Sequence, residues 1–241
     1  MNLLHELDEN KSFVSVRSTE HTAGTGEPMP EKPVLHHCVG TCSTVARIVL
    51  EEAQVDYELQ RLTLGPDGIT ERDYAQIHPF SRVPALTQPD GEVLTELAAI
   101  LAHVVLGHTT LELPAPMRAR EIEWHSGLFS YVHTPFRRFF RPQRCFPQPA
   151  PTAVLQSFRE HARQQFHRGL TYFGHRIAGP YALGERFSTV DPYLYVMCHW
   201  GRATEFDFDE HPALRAHATR VEERAAVRSC LEDDGISTLW S

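Results

Sequence analysis

A change of periodicity near residue 107 constrains this chain more than any other feature. Before it, apolar positions switch repeatedly between strand-like and helix-like spacing; after it, strand signals vanish and long helical patterns remain. Val34-Leu35-His36-His37 reads as a short buried strand, and Ser43 to Ala53 follows with Val45, Ile48, Val49 and Ala53 at helical spacing. Tyr57, Leu59, Leu62 and Leu64 predict a second strand, ended by the turn signal Gly65-Pro66-Asp67-Gly68. A short helical piece over Glu71 to Ile77 stops at His78-Pro79, because the residue before proline is pushed out of the helical region. Val83 to Thr87 and Val93-Leu94 flank Gln88-Pro89-Asp90-Gly91 and read as a β-hairpin. Glu96 to Leu106 is apolar nearly all round, which predicts a buried helix. These elements make an α/β unit of three layers.

Beyond the polar connector His108 to Pro116, Arg118 to Phe140 and Val154 to Ile177 are long helical patterns. Trp124, Leu128, Val132 and Phe136 form one spaced stripe on the first of them. The four prolines of Arg141 to Pro151 demand a loop between the two helices. Ser188 and Asp191 open a third helix as a capping-box variant, each side chain placed to satisfy an amide at the helix start. The expected division is a flexible tail over 1–32, an α/β domain over 33–107, a linker over 108–117 and an all-helical domain over 118–241. Within the tail, Ser18 to Lys32 has almost no apolar content, and Phe13, Val14 and Val16 suggest at most a short strand.

Composition excludes several function classes. With 41% hydrophobic and 22% charged residues, the chain of 241 residues has ordinary globular usage. A formal net charge of −8 argues against nucleic acid, whose phosphates draw on clustered cations, yet permits a local basic pocket for a small anion. The apolar run Leu97 to Leu106 contains His103 and is half the length of a membrane span, so no membrane role is expected. Met1 to Asn10 lacks the basic start and apolar stretch of a secretory signal. Five cysteines are a poor disulfide framework, and the expected setting is the cytoplasm, where thiols stay reduced. Most of the fifteen histidines, among them His5, His108 and His217, read as solvated surface.

Cys42 is the sharpest chemical candidate. It stands in Gly40-Thr41-Cys42-Ser43, between a strand and a helix start, where first-turn amides and the helix dipole favour an anion and should draw the thiol pKa toward neutrality. Such a cysteine can attack a disulfide or donate a hydrogen bond to a thiolate held at the same helix end; a buried, inert cysteine is the competing reading. Cys38 is four residues earlier, so the pair is not a C-x-x-C redox motif. His36, His37, Cys38 and Cys42 do not make a metal site, since His37 points to the opposite strand face and no second cluster completes a shell. Val83-Pro84 belongs at a sheet edge, and a cis bond there would leave the Val83 backbone groups free to grip a ligand. Glu96 is placed either to cap the next helix or to hold an ammonium group.

In this order the pieces resemble the glutathione transferases. The N-terminal resemblance rests on Gly40-Thr41-Cys42-Ser43, Ser81-Arg82-Val83-Pro84-Ala85-Leu86, Asp90-Gly91-Glu92-Val93-Leu94-Thr95-Glu96 and Ala99-Ile100. Ser188 to Tyr195 resembles the capping segment of that family's helical domain. Cys42 followed by Ser43, and Trp124 with Phe129-Ser130-Tyr131-Val132-His133 and Phe136, look most like the bacterial beta class. The resemblance covers roughly residues 33–230 and implies a thioredoxin-like N-terminal domain followed by a helical C-terminal one.

By that resemblance, Cys42 sits at the glutathione sulfur and can form a mixed disulfide with it, with Ser43 as the neighbouring helix-start donor and His133 reaching the sulfur across the domain cleft. Val83, before a cis Pro84, would bond the cysteinyl backbone of glutathione, and Glu96 the γ-glutamyl ammonium. The family has Ser where Leu97 stands, so only the Leu97 amide is left for the γ-glutamyl carboxylate. The class also has a lysine after the second strand for the glycyl carboxylate; Arg61, Arg72 and Arg82 are the candidate replacements. The implied function is attack of the glutathione thiolate on a small electrophile held by the helical domain, as in detoxification, or thiol–disulfide exchange through Cys42. Glutathione is the co-substrate, no metal is implied, and a homodimer is expected with Phe80 as an interface anchor. The rival reading is a transferase-like fold kept as a protein-interaction scaffold, with the tail and Gln143-Arg144-Cys145-Phe146 as contact places.

Overall fold

The computed structural model describes residues 30–66, 68–108 and 111–240. Most of the expected tail, including Phe13, Val14 and Val16, lies outside the described residues. Strands β1 (Val34–His37), β2 (Glu58–Arg61), β5 (Ala85–Thr87) and β6 (Val93–Thr95) form one sheet in the order β2-β1-β5-β6. β1 and β2 run parallel, which requires a crossover, and α1 (Ser43–Glu52) supplies it. β5 and β6 are the expected hairpin, antiparallel to each other and to β1. The register lines up Leu59, Leu35, Leu86 and Leu94 in one row across all four strands. That row explains why a strand as short as β1 is stable: every neighbour contributes a leucine to the same face.

Between β2 and β5 the chain makes a small hairpin, β3 (Leu64–Gly65) and β4 (Gly68–Ile69), and one turn of helix, α2 (Tyr74–Ile77). Then α3 (Leu97–Gly107) departs from expectation. Leu97, Ile100, Leu101 and Val104 are buried, but Ala98, Ala99, Ala102 and His103 are exposed, and Leu106 is 76% exposed. α1 and the sheet cover one side of α3 only, so its second apolar side is left facing outward in the single chain.

The helical part comprises α4 (Ala115–Leu128), α5 (Thr134–Phe140), α6 (Thr152–Gly174), α7 (Val190–Ala203), α8 (Pro212–Glu222) and α9 (Ala225–Asp234). The first long helix starts three residues earlier than expected and is interrupted by a π-helical turn, Phe129–His133. Pro135 is the cause. It has no N–H for the Tyr131 carbonyl four residues back, and its ring crowds that carbonyl, so the ladder widens there. The displaced carbonyl turns toward α6, where a Cβ on Gly169 would lie 2.0 Å from Tyr131 O. Glycine is therefore needed at 169 for α6 to approach the widened turn. The Trp124, Leu128, Val132 and Phe136 stripe is buried as the spacing predicted. The proline-rich segment holds a 3₁₀ turn over Pro142–Cys145.

The capping box forms only in half. Asp191 accepts the Ser188 amide at 2.7 Å, but the Ser188 hydroxyl donates to that same carboxylate at 3.1 Å instead of reaching a helix amide. Asp191 also accepts the Ala182 amide at 2.7 Å and His217 Nε2 at 2.8 Å. His217 is thus buried, correcting its reading as solvated surface. Apolar residues from both parts, from Leu35 on β1 to Val227 on α9, belong to one continuous core.

Candidate functional site

Cys42 is the residue before α1, and the turn that delivers it contains Gly40 at φ +75°, a backbone shape natural to glycine. Its thiol donates to the Val83 carbonyl at 3.3 Å, joining the helix start to the segment ahead of β5; β5 lies between β1 and β6, so Val83-Pro84 stands just before an inner strand and not at the sheet edge expected for it. The Val83–Pro84 bond is cis. The expectation of a lowered thiol pKa is corrected here. Burial outweighs the helix end and the positive charge of Arg137, and pushes the Cys42 thiol up to about 12. At neutral pH this cysteine is an S–H donor.

Ser43 departs from the role expected of it. Its side chain is fully buried and turned inward: Oγ accepts the Cys38 amide at 3.0 Å and lies 2.9 Å from His37 Nδ1. His37 Nε2 in turn lies 3.0 Å from Asp234 Oδ2 at the end of α9. A carboxylate only accepts, so Nε2 carries the hydrogen. Arg47 and Arg61 both bond Asp234 and Asp233. The Ser43 hydroxyl is therefore committed to an internal chain from α9 to the start of α1. Arg61, held in the same cluster, is likewise removed as a replacement for the missing lysine.

Glu96 precedes α3 with φ +69° and ψ 122°, a strained shape for a residue with a side chain. Strain of this kind, about 1–3 kcal/mol, persists where the surroundings hold a residue for a purpose. The carboxylate is exposed at the start of α3, while the Glu96 carbonyl accepts the Ala99 and Ile100 amides at 3.1 Å each. The Leu97 side chain goes into the core, so the family's hydroxyl has no counterpart and the amide alone faces the site.

His133 ends the π turn, buried, with Nδ1 3.0 Å from the Tyr193 hydroxyl. Burial, then the charges of Arg137 and Arg82, lower its pKa to about 3, so its imidazole is neutral. Its ring lies edge-on to Trp200 at 4.9 Å, and Trp200 stacks on Phe136 at 4.4 Å while donating to the Gly40 carbonyl at 3.1 Å. Trp200 thereby ties the turn bearing Cys42 to the helix bearing His133. Burial first, then the nearness of Cys42 and Glu96, pushes the Tyr193 hydroxyl well above its ordinary pKa. Thus Cys42, Val83, Glu96, His133 and Tyr193 share one neighbourhood. Sequence reasoning missed Trp200 and Tyr193 as site residues, although Tyr193 stands inside the Ser188 to Tyr195 segment. It also missed Arg137, whose signal was its place one turn after His133, and Arg141, which reaches from the end of α5 to the Gly65 carbonyl at 2.7 Å. Among the described residues no group of three or more His, Cys, Asp or Glu is placed to hold a metal, and no helix is long and apolar enough to cross a membrane.

Comparison with known proteins agrees with this arrangement. The family model for the glutathione S-transferase N-terminal domain matches residues 40–104, and that for the C-terminal domain matches 156–220. Glutathione S-transferase GstA of Escherichia coli O157:H7 is 27% identical over 203 residues, 82% of this chain and 96% of that protein. A glutathione transferase homologue from Sulfitobacter, solved with bound glutathione, superposes with a TM-score of 0.76 at 26% identity, covering 86% of this chain and 99% of that one. The beta-class glutathione S-transferase of Sphingomonas chungbukensis gives 0.72 at 26% identity, with 85% and 100% covered. The thioredoxin-like sheet, the helical half and both family matches lead to one assignment: the chain belongs to the glutathione S-transferase superfamily.

Proposed function

We propose that this protein is a glutathione transferase in which Cys42, as a neutral donor, stabilises the glutathione thiolate for attack on a small electrophile. The observation that carries the reading is the Cys42 thiol held at the start of α1 and within 3.3 Å of the Val83 carbonyl. A sulfur bound there would draw the single Cys42 S–H away from the Val83 carbonyl and would meet a helix N-terminus as well, both of which favour the thiolate over the thiol. At neutral pH a free thiol is only a few per cent ionised, so this stabilisation supplies the nucleophile. Thiol–disulfide exchange would need Cys42 itself to ionise, and its burial favours the donor role. His133 is neutral and fixed by Tyr193; it brings no positive charge to the site, but its one ring N–H remains a hydrogen-bond donor.

For the tripeptide, Val83 supplies backbone groups, Glu96 takes the γ-glutamyl ammonium and the Leu97 amide one oxygen of the neighbouring carboxylate. Arg141 rests on the segment that follows β2, where the class has its lysine, and is the cation we assign to the glycyl carboxylate. The α/β part over 33–107 is the glutathione-binding domain, and the helical part over 118–241 forms the electrophile pocket. The functional unit is a homodimer: Phe80, Leu106 and Ile122 are 74%, 76% and 64% exposed, and a second copy would cover them. A cytoplasmic role in detoxification follows from this reading.

Calorimetric titration with reduced glutathione at neutral pH tests the proposal. Saturable binding in the micromolar to low millimolar range supports it; no heat from the folded protein returns the scaffold reading.

A further inference from the structure

The Ser43 hydroxyl lies within reach of several groups but has one hydrogen to give. It accepts the Cys38 amide at 3.0 Å, and around it stand the Thr41 hydroxyl at 2.8 Å, His37 Nδ1 at 2.9 Å and the Cys38 carbonyl at 3.1 Å. A purely local turn would send the hydrogen back to the Cys38 carbonyl. His37 decides otherwise. Its Nε2 hydrogen goes to Asp234 Oδ2 at 3.0 Å, and in a neutral imidazole that leaves Nδ1 as a bare acceptor. The Ser43 hydrogen is drawn to Nδ1, and the Thr41 hydroxyl serves the Cys38 carbonyl instead, at 2.7 Å. Cys42 stands between Thr41 and Ser43, so one ring sets the bonds on both sides of it.

The rings and side chains of this chain are buried throughout: His37, Ser43 and Asp234 have no exposed side-chain surface. Fastening α9 does not require the ring. Arg47 and Arg61 each bond both Asp233 and Asp234, which ties α9 to α1 and β2 without His37. What the ring alone adds is a fixed tautomer and an acceptor beside the Cys42 turn. Because His37 is the last residue of β1, its own backbone is held by the sheet, and the acceptor it offers is rigidly placed.

We propose that His37 is a positioning residue for the glutathione thiolate: by taking the Ser43 hydrogen it locks the Gly40-Thr41-Cys42-Ser43 turn and, with it, the direction of the Cys42 thiol. The proposal deepens the transferase reading and rests on it for the sulfur that Cys42 meets. His37 touches no substrate and no bond is made or broken at its ring; it acts through Ser43. Val83 and Glu96, assigned to the rest of the tripeptide, lie on other segments of the chain and do not depend on this lock. Loss of the lock therefore lowers the thiolate fraction of bound glutathione and spares the affinity for its thiol form.

Two substitutions in the intact protein separate the two bonds of the ring. His37→Asn keeps an amide oxygen near the place of Nδ1 for Ser43 but is too short for Asp234. His37→Gln reaches toward Asp234 with an amide N–H and gives up the Nδ1 position. Thiolate absorbance of bound glutathione against pH is the readout, set beside urea unfolding of the free protein. His37→Gln is expected to cut the thiolate-to-thiol ratio about three- to ten-fold, the worth of one hydrogen bond, which is a pKa rise of about half to one unit. Glutathione affinity measured below that pKa, where the thiol binds, should stay within about two-fold. His37→Asn should keep the parent pKa although its bond to Asp234 is gone. Ser43→Ala should match His37→Gln, and combining the two should add nothing. Equal pKa values in the Asn and Gln variants, or values that follow urea stability, overturn the proposal and leave His37 a fastener of α9. If both His37 variants fail to fold, Ser43→Ala decides: a raised pKa supports the lock and an unchanged one removes it. Should glutathione not bind at all, the transferase reading fails separately. Alkylation of Cys42 by iodoacetamide, mapped by mass against the exposed Cys145, then decides. Labelling about three- to ten-fold faster in His37→Gln than in His37→Asn keeps the lock, and equal rates overturn it.

Discussion

At the scale of the residue, Cys42 shows how position and burial compete. The helix start pulls a thiol toward ionisation by an amount typical of dipole effects, below about 2 kcal/mol. Near-complete burial acts the other way and wins, leaving the thiol pKa near 12. Cys42→Ala should therefore weaken the glutathione thiolate without abolishing its binding. Thiolate absorbance of the bound tripeptide, followed against pH, should show a pKa raised by about 1–2 units, matching the loss of roughly 1.5–3 kcal/mol. An unchanged profile would remove Cys42 from the mechanism. This cysteine was legible from its place before a helix, but its protonation was not. The carbonyl of Val83, 41 residues away, and the layers above it decide the burial.

Ser43 teaches the same lesson with the opposite outcome. A serine after the cysteine at a helix start reads as a ligand donor, yet the hydroxyl serves His37. Asp234, which completes that chain, is 197 residues from His37 in sequence. Local spacing cannot reveal such a partner.

At the scale of the element, α9 is fastened to β1 and α1 by the Asp233–Asp234 pair. Asp234 is fully buried and accepts from His37, Arg47 and Arg61. Burial works against its carboxylate, but the bonds from His37 and Arg61 outweigh that and hold its pKa below the usual range. Asp234→Ala leaves the 7%-exposed Arg47 side chain with only Asp233, so a loss of about 3–5 kcal/mol is expected. Urea unfolding measures it. A loss under about 1 kcal/mol would mean that α9 is held by apolar packing alone. The π turn is the second device at this scale. Pro135 and Gly169 are separately unremarkable in the sequence, and only the pairing of α5 with α6 shows that one displaces a carbonyl and the other makes room for it.

At the scale of the whole molecule, several histidines are kept neutral by burial. The pKa of His36, His125 and His199 falls to about 4 and that of His133 to about 3. In the unfolded chain each binds a proton near pH 6.5. Between these values the unfolded state holds more protons than the folded one, so stability rises with pH there. Stability should be complete above about pH 6.5 and decline steadily toward pH 4. Calorimetric unfolding from pH 7 to pH 4 should show the midpoint falling throughout; a flat profile would mean that these rings gain protons without loss of packing.

Association is the other property at this scale. Phe80→Glu should convert a sedimenting dimer to a monomer at micromolar concentration, since a carboxylate cannot replace a buried ring in an apolar contact. A wild-type chain that sediments as 27.4 kDa removes the homodimer outright.

The sequence by itself determined the order of the main strands and helices as far as α7, the change from α/β to all-helical and the places of Cys42, Val83-Pro84 and Glu96, but not the β3–β4 hairpin, α8 or α9. Those follow from periodicity, proline and glycine, whose effects act within a few residues. Tertiary structure decided the rest: the protonation of Cys42, the inward turn of Ser43 and the exposed side of α3. Each depends on what lies opposite in space, and burial and Coulomb energy are set by neighbours that chain distance does not bring near.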